Sequence, residues 1–283
     1  MKVCCLLGHP VGHSMSAVMH NAAFTELGLD YRYELWDIEP ERLEEAVDRL
    51  REPQMGGANV TLPHKVSVMK LLDAVDVGAS KIGAVNTIVN DGGFLTGYNT
   101  DVTGMERSLE EAGVDPEGMA AVMVGAGGAA KAIGYYLSTL VESLTIINRT
   151  QSRAEELAKY LSGLPKCTAS VSARSLNREV LAGALMNAGL LVNATSLGMT
   201  PDVDTTPVDG SLLKAGLVVV DAVYNPMKTR LVRDAEEVGA TGIGGLSMLV
   251  HQGAQAFELW TGMEAPTSLM FEAARQTLEG EGR

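Results

Sequence analysis

Lys65, in the segment NVTLPHK, is the residue of this sequence best suited to proton chemistry. A primary amine passes a proton to or from a substrate hydroxyl when a neighbouring carboxylate holds it in place. The carboxylate on offer is Asp101, which closes the segment GYNTD. Small polar side chains recur where apolar runs end: Asn59 and Thr61, Asn86 and Thr87, Asn99 and Thr100, then Asn193, Thr195 and Ser196. Ligands of open α/β sheets bind beyond the carboxyl ends of strands. Hydroxyls, amides and a Lys–Asp combination suit a small polyhydroxy acid there. Taken singly, each residue also reads as a cap or turn residue. Lys65 is expected in the first turn of a helix opened by Pro63, where the positive dipole end disfavours its charge and a carboxylate restores it; a surface lysine is the alternative.

A second constellation lies in VMVGAGGAAKAIG, residues 122–134. An apolar run suits a parallel strand covered on both faces. Gly125, Gly127 and Ala130 then fit the G-x-G-x-x-G/A dinucleotide fingerprint, with Ala126, Gly128 and Ala129 between them. Gly125 permits a tight turn, Gly127 lets a pyrophosphate approach the backbone, and Ala130 lets helix and strand pack closely. The helix start offers free N–H groups and a positive dipole end to the anion. A second apolar strand ends in Asn148, Arg149 and Thr150, with Arg153 one turn further on. An NAD site carries an acidic side chain about 20 residues past the glycines, and none closes this strand. Two guanidinium groups suit a 2′-phosphate instead, so NADP is expected over NAD.

The elements that must position these residues form two α/β domains. The first is expected over residues 1–101, as the substrate-binding and catalytic domain. Its strands are expected near 3–7, 31–36, 56–61, 86–89 and 94–98. Its helices run from a cap at Ser14 or Ser16 to Gly28, after Pro40 and after Pro63. Asp101 is expected to cap a helix over 102–111. The segment 113–118, GVDPEG, is the linker candidate. Residues 102–239 read as a Rossmann-type, doubly wound parallel sheet with strands near 120–124, 144–147, 167–171, 190–193 and 217–221. The glycines of TGIGG break the chain again, and residues 240–283 form two C-terminal helices. Met248, Gln252 and Gln255 share one helix face. A glutamine on such a stripe is either a satisfied core amide or a ligand contact.

The totals fit a globular protein. Of 283 residues, 46% are hydrophobic and 20% charged, and the net charge of −13 disfavours nucleic acid and anionic membrane. An anionic cofactor must therefore be drawn by a local basic site. Three cysteines make no disulfide framework, and buried free thiols in a reducing cytoplasm are expected. The N-terminal apolar run is too short for a signal peptide, and no 18-residue apolar stretch exists. His9, His13 and His20 cluster, but without a carboxylate partner they are not read as a metal site.

The segments GHPVGHSMS, NVTLPHK, GAVNTI, GYNTD, GAGGAA, NRT, NATSLGM, DAVYNP and GGLSMLVHQGA, in that order, resemble the shikimate dehydrogenase family over nearly the whole chain. The resemblance implies NADP-dependent, reversible reduction of 3-dehydroshikimate to shikimate, on the route to chorismate and aromatic amino acids, in the cytoplasm. It implies that Ser14, Ser16 and Tyr224 hold the substrate carboxylate. Thr61, Asn86, Asp101 and Gln252 hold the ring hydroxyls, Asn59 supports the pocket wall, and Lys65 and Asp101 are the catalytic pair. Gly125, Ala126, Gly127, Gly128, Ala129, Asn148, Arg149, Thr150 and Arg153 bind NADP, with Thr195, Val223 and Gly245 along its nicotinamide half. The C-terminal helices then pack back onto the first domain, and the segments near 113–118 and 239–245 act as hinges. Ala17 departs from the family, which often has proline after the second serine. The implied partners are the small-molecule substrate and no nucleic acid, membrane or metal, with a homodimer as an open option. Alternatives are a quinate/shikimate dehydrogenase using NAD, and a non-catalytic shikimate or quinate sensor on the same fold.

Overall fold

Val3 to Leu7 alternate between two apolar faces and make the inner strand β1 (Lys2–Gly8), buried along nearly its whole length. A computed structural model describing residues 1–281 builds two α/β units around this strand and its counterpart β7. One unit is Met1–Gly104 with the chain from Val250 onward; the other is Met105–Leu249.

In the first unit, β1 pairs in parallel with β2 (Tyr31–Asp37) and β3 (Met55–Val60). The hairpin β5 (Thr87–Asp91) and β6 (Phe94–Tyr98) joins β3 in antiparallel fashion, and the two-residue β4 (Ala74–Val75) closes the far edge. The sheet order is β2-β1-β3-β5-β6-β4. Helices α1 (Ser16–Glu26), α2 (Leu43–Arg49) and α3 (Val77–Ile82) belong to this unit. The chain leaves it inside α4 (Asp101–Glu111).

The second sheet is wholly parallel: β7 (Ala120–Val124), β8 (Ser143–Asn148), β9 (Ser170–Ser175), β10 (Leu190–Asn193), β11 (Val218–Asp221) and β12 (Thr241–Ile243). Its order, β12-β11-β10-β7-β8-β9, reverses direction between β7 and β10. That is the doubly wound arrangement with its crevice at the switch point. Helices α5 (Gly128–Ser138), α6 (Gln151–Ser162), α7 (Arg178–Leu185) and α8 (Arg230–Glu237) connect the strands. Ile133, Leu137, Leu144, Ile146 and Leu161 lie at the centre of its core.

The chain returns to the first unit inside α9 (Leu246–Thr261) and ends in α10 (Thr267–Glu281), which packs on α1. Trp260 on α9 donates its indole N–H to the Ile88 carbonyl at 2.9 Å. Gly57 makes room for it: a Cβ there would lie 2.5 Å from the indole nitrogen.

Four expectations are corrected. No α-helix follows Pro63; a turn closed by His64 N–H to Thr61 O leads to a 3-10 segment, Ser67–Leu71. The Lys65 carbonyl accepts from Val85 N–H at 2.8 Å, so it is not given to the next helical turn. The α1 N-cap is Met15 without a side-chain cap; Ser14 Oγ instead accepts from Ser16 N–H. The third strand of the second sheet lies at Ser170–Ser175, not 167–171, because Thr168 and Ala169 both donate to Ser138 O at the end of α5. Residues 240–249 belong to the second unit, since β12 pairs with β11; the division falls inside α4 and α9 rather than at the glycine-rich segments.

Candidate functional site

Lys65 and Asp101 meet in the first unit. The Lys65 turn and the start of α4 bring Nζ to 2.5 Å from Asp101 Oδ2, with both side chains mostly withdrawn from solvent. The second carboxylate oxygen, Oδ1, accepts from Asn86 Nδ2 at 2.8 Å. Asn86, just before β5, also donates to Thr100 Oγ1 at 2.9 Å and Gln252 Oε1 at 3.2 Å. Asn59, at the end of β3, donates to the Asn86 carbonyl and to Thr87 Oγ1. The first unit thus joins Asn59, Lys65, Asn86, Asp101 and Gln252 in one polar network. Ser14 and Ser16 bond to each other, and Thr61 N–H bonds to Leu7 O where β3 leaves the sheet. The helix-dipole account of Lys65 does not apply, since no helix starts there; the paired carboxylate remains.

Sequence reading missed two participants, Tyr33 and His20. The Tyr33 hydroxyl donates to Asn59 Oδ1 at 2.7 Å. His20 stacks on the Tyr33 ring at 4.5 Å and is fully buried. Burial lowers its pKa to about 3, offset only in part by the nearby Asn59 amide. Tyr33 sits at an inward position of an alternating strand, so its spacing marks it as core and nothing in the sequence ties it to Asn59.

The second unit gathers its candidates at the carboxyl edge of the parallel sheet. Gly125 follows β7 with φ +122, and a Cβ would lie 2.8 Å from the Ala194 carbonyl beyond β10. Its place is therefore the switch point. Gly127 caps α5, and a Cβ there would meet nothing within 4 Å. Gly128 and Ala129 form the first turn, preceded by Ala126, and Ala130 is buried in the core. Asn148 Nδ2 bonds to Thr150 O, and Arg149, Thr150 and Arg153 are exposed. Neither guanidinium has an ion-pair partner among the described residues. An exposed cationic pair beside a glycine turn and a free helix N-terminus is chemically suited to a phosphorylated dinucleotide.

Next along that edge, Asp221 is fully buried and accepts from Asn193 Nδ2, Val223 N–H and Thr229 Oγ1. Burial raises its pKa, against those three hydrogen bonds. It fixes the loops that carry Thr195 and Val223, and Thr195 is also held by Asn193 Oδ1 at 2.7 Å. Tyr224 is half-buried on the same loop as Val223. Gly245 N–H bonds to Val223 O, and a Cβ on Gly245 would lie 2.5 Å from Ala222 O.

Among the described residues, no group of three or more His, Cys, Asp or Glu is placed to hold a metal, and no helix is long and apolar enough to cross a membrane. His9, however, does have a carboxylate partner, Asp37, at 2.5 Å, and that hydrogen bond raises its pKa. Cys4 and Cys5 are buried free thiols, whereas Cys167 is only half-buried.

The profile of the "Shikimate dehydrogenase substrate binding domain" matches residues 6–88, and that of the "Shikimate 5'-dehydrogenase C-terminal domain" matches residues 245–275. A shikimate dehydrogenase (NADP(+)) from Symbiobacterium thermophilum is 49% identical over 278 residues, covering 98% of this chain and 94% of its own. The chain belongs to the shikimate dehydrogenase family. A crystal structure of a shikimate dehydrogenase in complex with NADP+ superposes with a TM-score of 0.90 at 40% identity, covering 98% of this chain and 96% of that one. A second family member, shikimate 5-dehydrogenase from Thermus thermophilus in complex with NADP(H) and shikimate, gives 0.85 at 38% identity, covering 98% and 99%. The shikimate dehydrogenase fold, with its mixed and its parallel sheet, thus extends over nearly the whole chain.

Proposed function

We propose that this chain interconverts 3-dehydroshikimate and shikimate with NADP. The observation that carries the reading is the Lys65–Asp101 pair, 2.5 Å apart and buttressed by Asn86, in a chain of this family. Reduction develops negative charge on a ketone oxygen, and a cation or acid aimed at that oxygen stabilises the transition state. Lys65 is that donor; Asp101 orients it and accepts from a neighbouring ring hydroxyl. Thr61, Asn86 and Gln252 complete the hydroxyl-binding set, Asn59 supports the pocket wall, and Ser14, Ser16 and Tyr224 take the carboxylate.

When bound, NADPH would supply the hydride for reduction and NADP+ would accept it in the reverse direction. Its fit rests on this chain's own residues: the open space over Gly127, the free N–H groups of α5, and the unpaired Arg149 and Arg153 with Asn148 and Thr150 beside them. Gly125, Ala126, Gly128 and Ala129 form the pyrophosphate turn; Thr195, Val223 and Gly245 line the nicotinamide half. The sequence-defined divisions 1–101, 102–239 and 240–283 keep their substrate, cofactor and returning-helix roles, with the last beginning at Val250. The same reading assigns the enzyme to the cytoplasm, without nucleic-acid or membrane partners, and sedimentation decides between a monomer and a homodimer.

Initial rates with NADPH and NADH, each against 3-dehydroshikimate and 3-dehydroquinate, test the reading. Reduction of 3-dehydroshikimate with NADPH preferred is the expected result. A preference for NADH above about tenfold, some 1.4 kcal/mol, removes the arginine argument, and no turnover of 3-dehydroshikimate removes the function.

A further inference from the structure

Two buried amides in the first unit have their orientations fixed by backbone groups. Asn86 Oδ1 accepts from Thr100 N–H at 2.7 Å, and a backbone N–H can only donate. The Asn86 amino group must therefore be the end that faces Asp101. Asn59 Nδ2 lies 3.2 Å from the Asn86 carbonyl, which can only accept, so the Asn59 oxygen must be the end that meets the Tyr33 hydroxyl.

Thr87 sits between the two amides and is fully buried. Its hydroxyl accepts from Asn59 Nδ2 at 3.1 Å and has one hydrogen to give. That hydrogen has two acceptors within reach, Asn86 Oδ1 at 3.1 Å and Thr100 Oγ1 at 3.3 Å, and Thr100 Oγ1 itself reaches Asn86 Oδ1 at 3.2 Å, so the three groups close on one another. The result is a directed chain: Tyr33 donates to Asn59, Asn59 to Thr87, Thr87 to Asn86, and Asn86 to Asp101, whose other oxygen holds Lys65. Every member except Lys65 is buried, where a polar group left unpaired is costly and a satisfied network is rigid.

We propose that Thr87 is a positioning residue for the reaction, acting through Asn86 to fix the Asp101 carboxylate and hence the Lys65 amine, with Tyr33 as the outer end of the chain. The proposal rests on the reading of Lys65 and Asp101 given above. Thr87 touches neither group directly. Its hydroxyl is one of three donors facing Asn86 Oδ1, with Thr100 N–H and Thr100 Oγ1, and it alone takes the second Asn59 N–H, which is buried without an acceptor once the hydroxyl is gone.

The test is a comparison of Thr87→Val, which keeps shape and removes the hydroxyl, with Thr87→Ser, which keeps the hydroxyl. Thr87→Val is expected to lower kcat roughly tenfold, about what one lost buried hydrogen bond yields, while KM for NADPH stays within about twofold. Thr87→Ser is expected to restore kcat to within about twofold of the parent. Tyr33→Phe, which removes only the outer donor, is expected to lower kcat about threefold and serves if Thr87→Val does not fold. Unchanged kcat in Thr87→Val and Tyr33→Phe, or failure of serine to rescue, overturns the proposal. Should the parent itself not turn over 3-dehydroshikimate, the functional reading fails and a crystal structure of Thr87→Val decides this one. A displaced Asn86 amide upholds the network, and an Asn86–Asp101 contact unchanged at 2.8 Å overturns it.

Discussion

The proton role proposed for Lys65 rests on its contact with Asp101, so its removal is the sharpest single-residue test. Lys65→Ala is expected to lower turnover by at least about 100-fold, the lower range for a lost general acid or base. The affinity for NADPH, measured by fluorescence titration, is expected to change little; most turnover retained would take Lys65 out of the mechanism. Arg149 answers a separate question. With no carboxylate partner to lose among the described residues, Arg149→Ala is expected to weaken NADPH binding roughly tenfold or more, as loss of a charged hydrogen bond does, and NADH binding far less. Equal weakening of both would reduce Arg149 to a structural role. Residue types at strand ends mark Lys65, Asp101, Asn86 and the arginines as candidates in the sequence itself. Tyr33 and Thr87 were not legible as a relay: their partner Asn59 lies 26 and 28 residues away in sequence, and only the pairing of β1, β2, β3 and β5 brings them together.

At the scale of elements, the strands with strong apolar runs were readable and the weak ones were not. β7 and β10 match their expected spans because both faces are buried. β9, SVSARS, is half-exposed and alternates weakly, so its bounds leave no clear mark in the sequence. β12 has three residues, one of them glycine, too few to show a period. The turn at Lys65 read as a helix because its residues suit one locally, and the Val85 contact that prevents it is non-local. The glycine turn allows the two roles of its glycines to be separated. Gly125 has a positive φ and a backbone carbonyl against it, so Gly125→Ala is expected to cost about 1–3 kcal/mol of stability, read by urea unfolding. Gly127 has φ −90 in extended backbone with open space before it. Gly127→Ala is expected to leave stability within about 0.5 kcal/mol of the parent and to weaken NADPH binding, because the added methyl would occupy the proposed pyrophosphate approach. A Gly127→Ala protein that binds NADPH normally would place the phosphates elsewhere.

For the molecule as a whole, the response to acid is set by opposing groups. The net charge of −13 eases as carboxylates protonate, and Asp221, with its raised pKa, binds a proton more readily folded than unfolded. Both favour the folded state as pH falls. His20 acts the other way. Stacked between aromatic rings and fully buried, it stays neutral in the folded chain down to about pH 3, whereas the unfolded imidazole takes a proton near 6.5. Below pH 6.5 the unfolded state therefore binds one more proton, and stability from this group falls as pH falls until the folded value is reached. The slope is at most about 1.4 kcal/mol per pH unit, so the loss by pH 5 is roughly 2 kcal/mol. Above pH 6.5 the term vanishes. His20→Phe keeps a ring against Tyr33 and Trp260 and removes the titration. Any packing cost of the larger ring is the same at every pH and drops out of the slope. Unfolding free energies of parent and variant, measured by urea between pH 5 and 8, are thus expected to run parallel above pH 6.5 and to diverge below it, the parent falling faster. Parallel curves over the whole range would mean that His20 takes its proton as readily in the folded chain as in the unfolded, against its full burial and the lack of a hydrogen-bond partner on either ring nitrogen among the described residues.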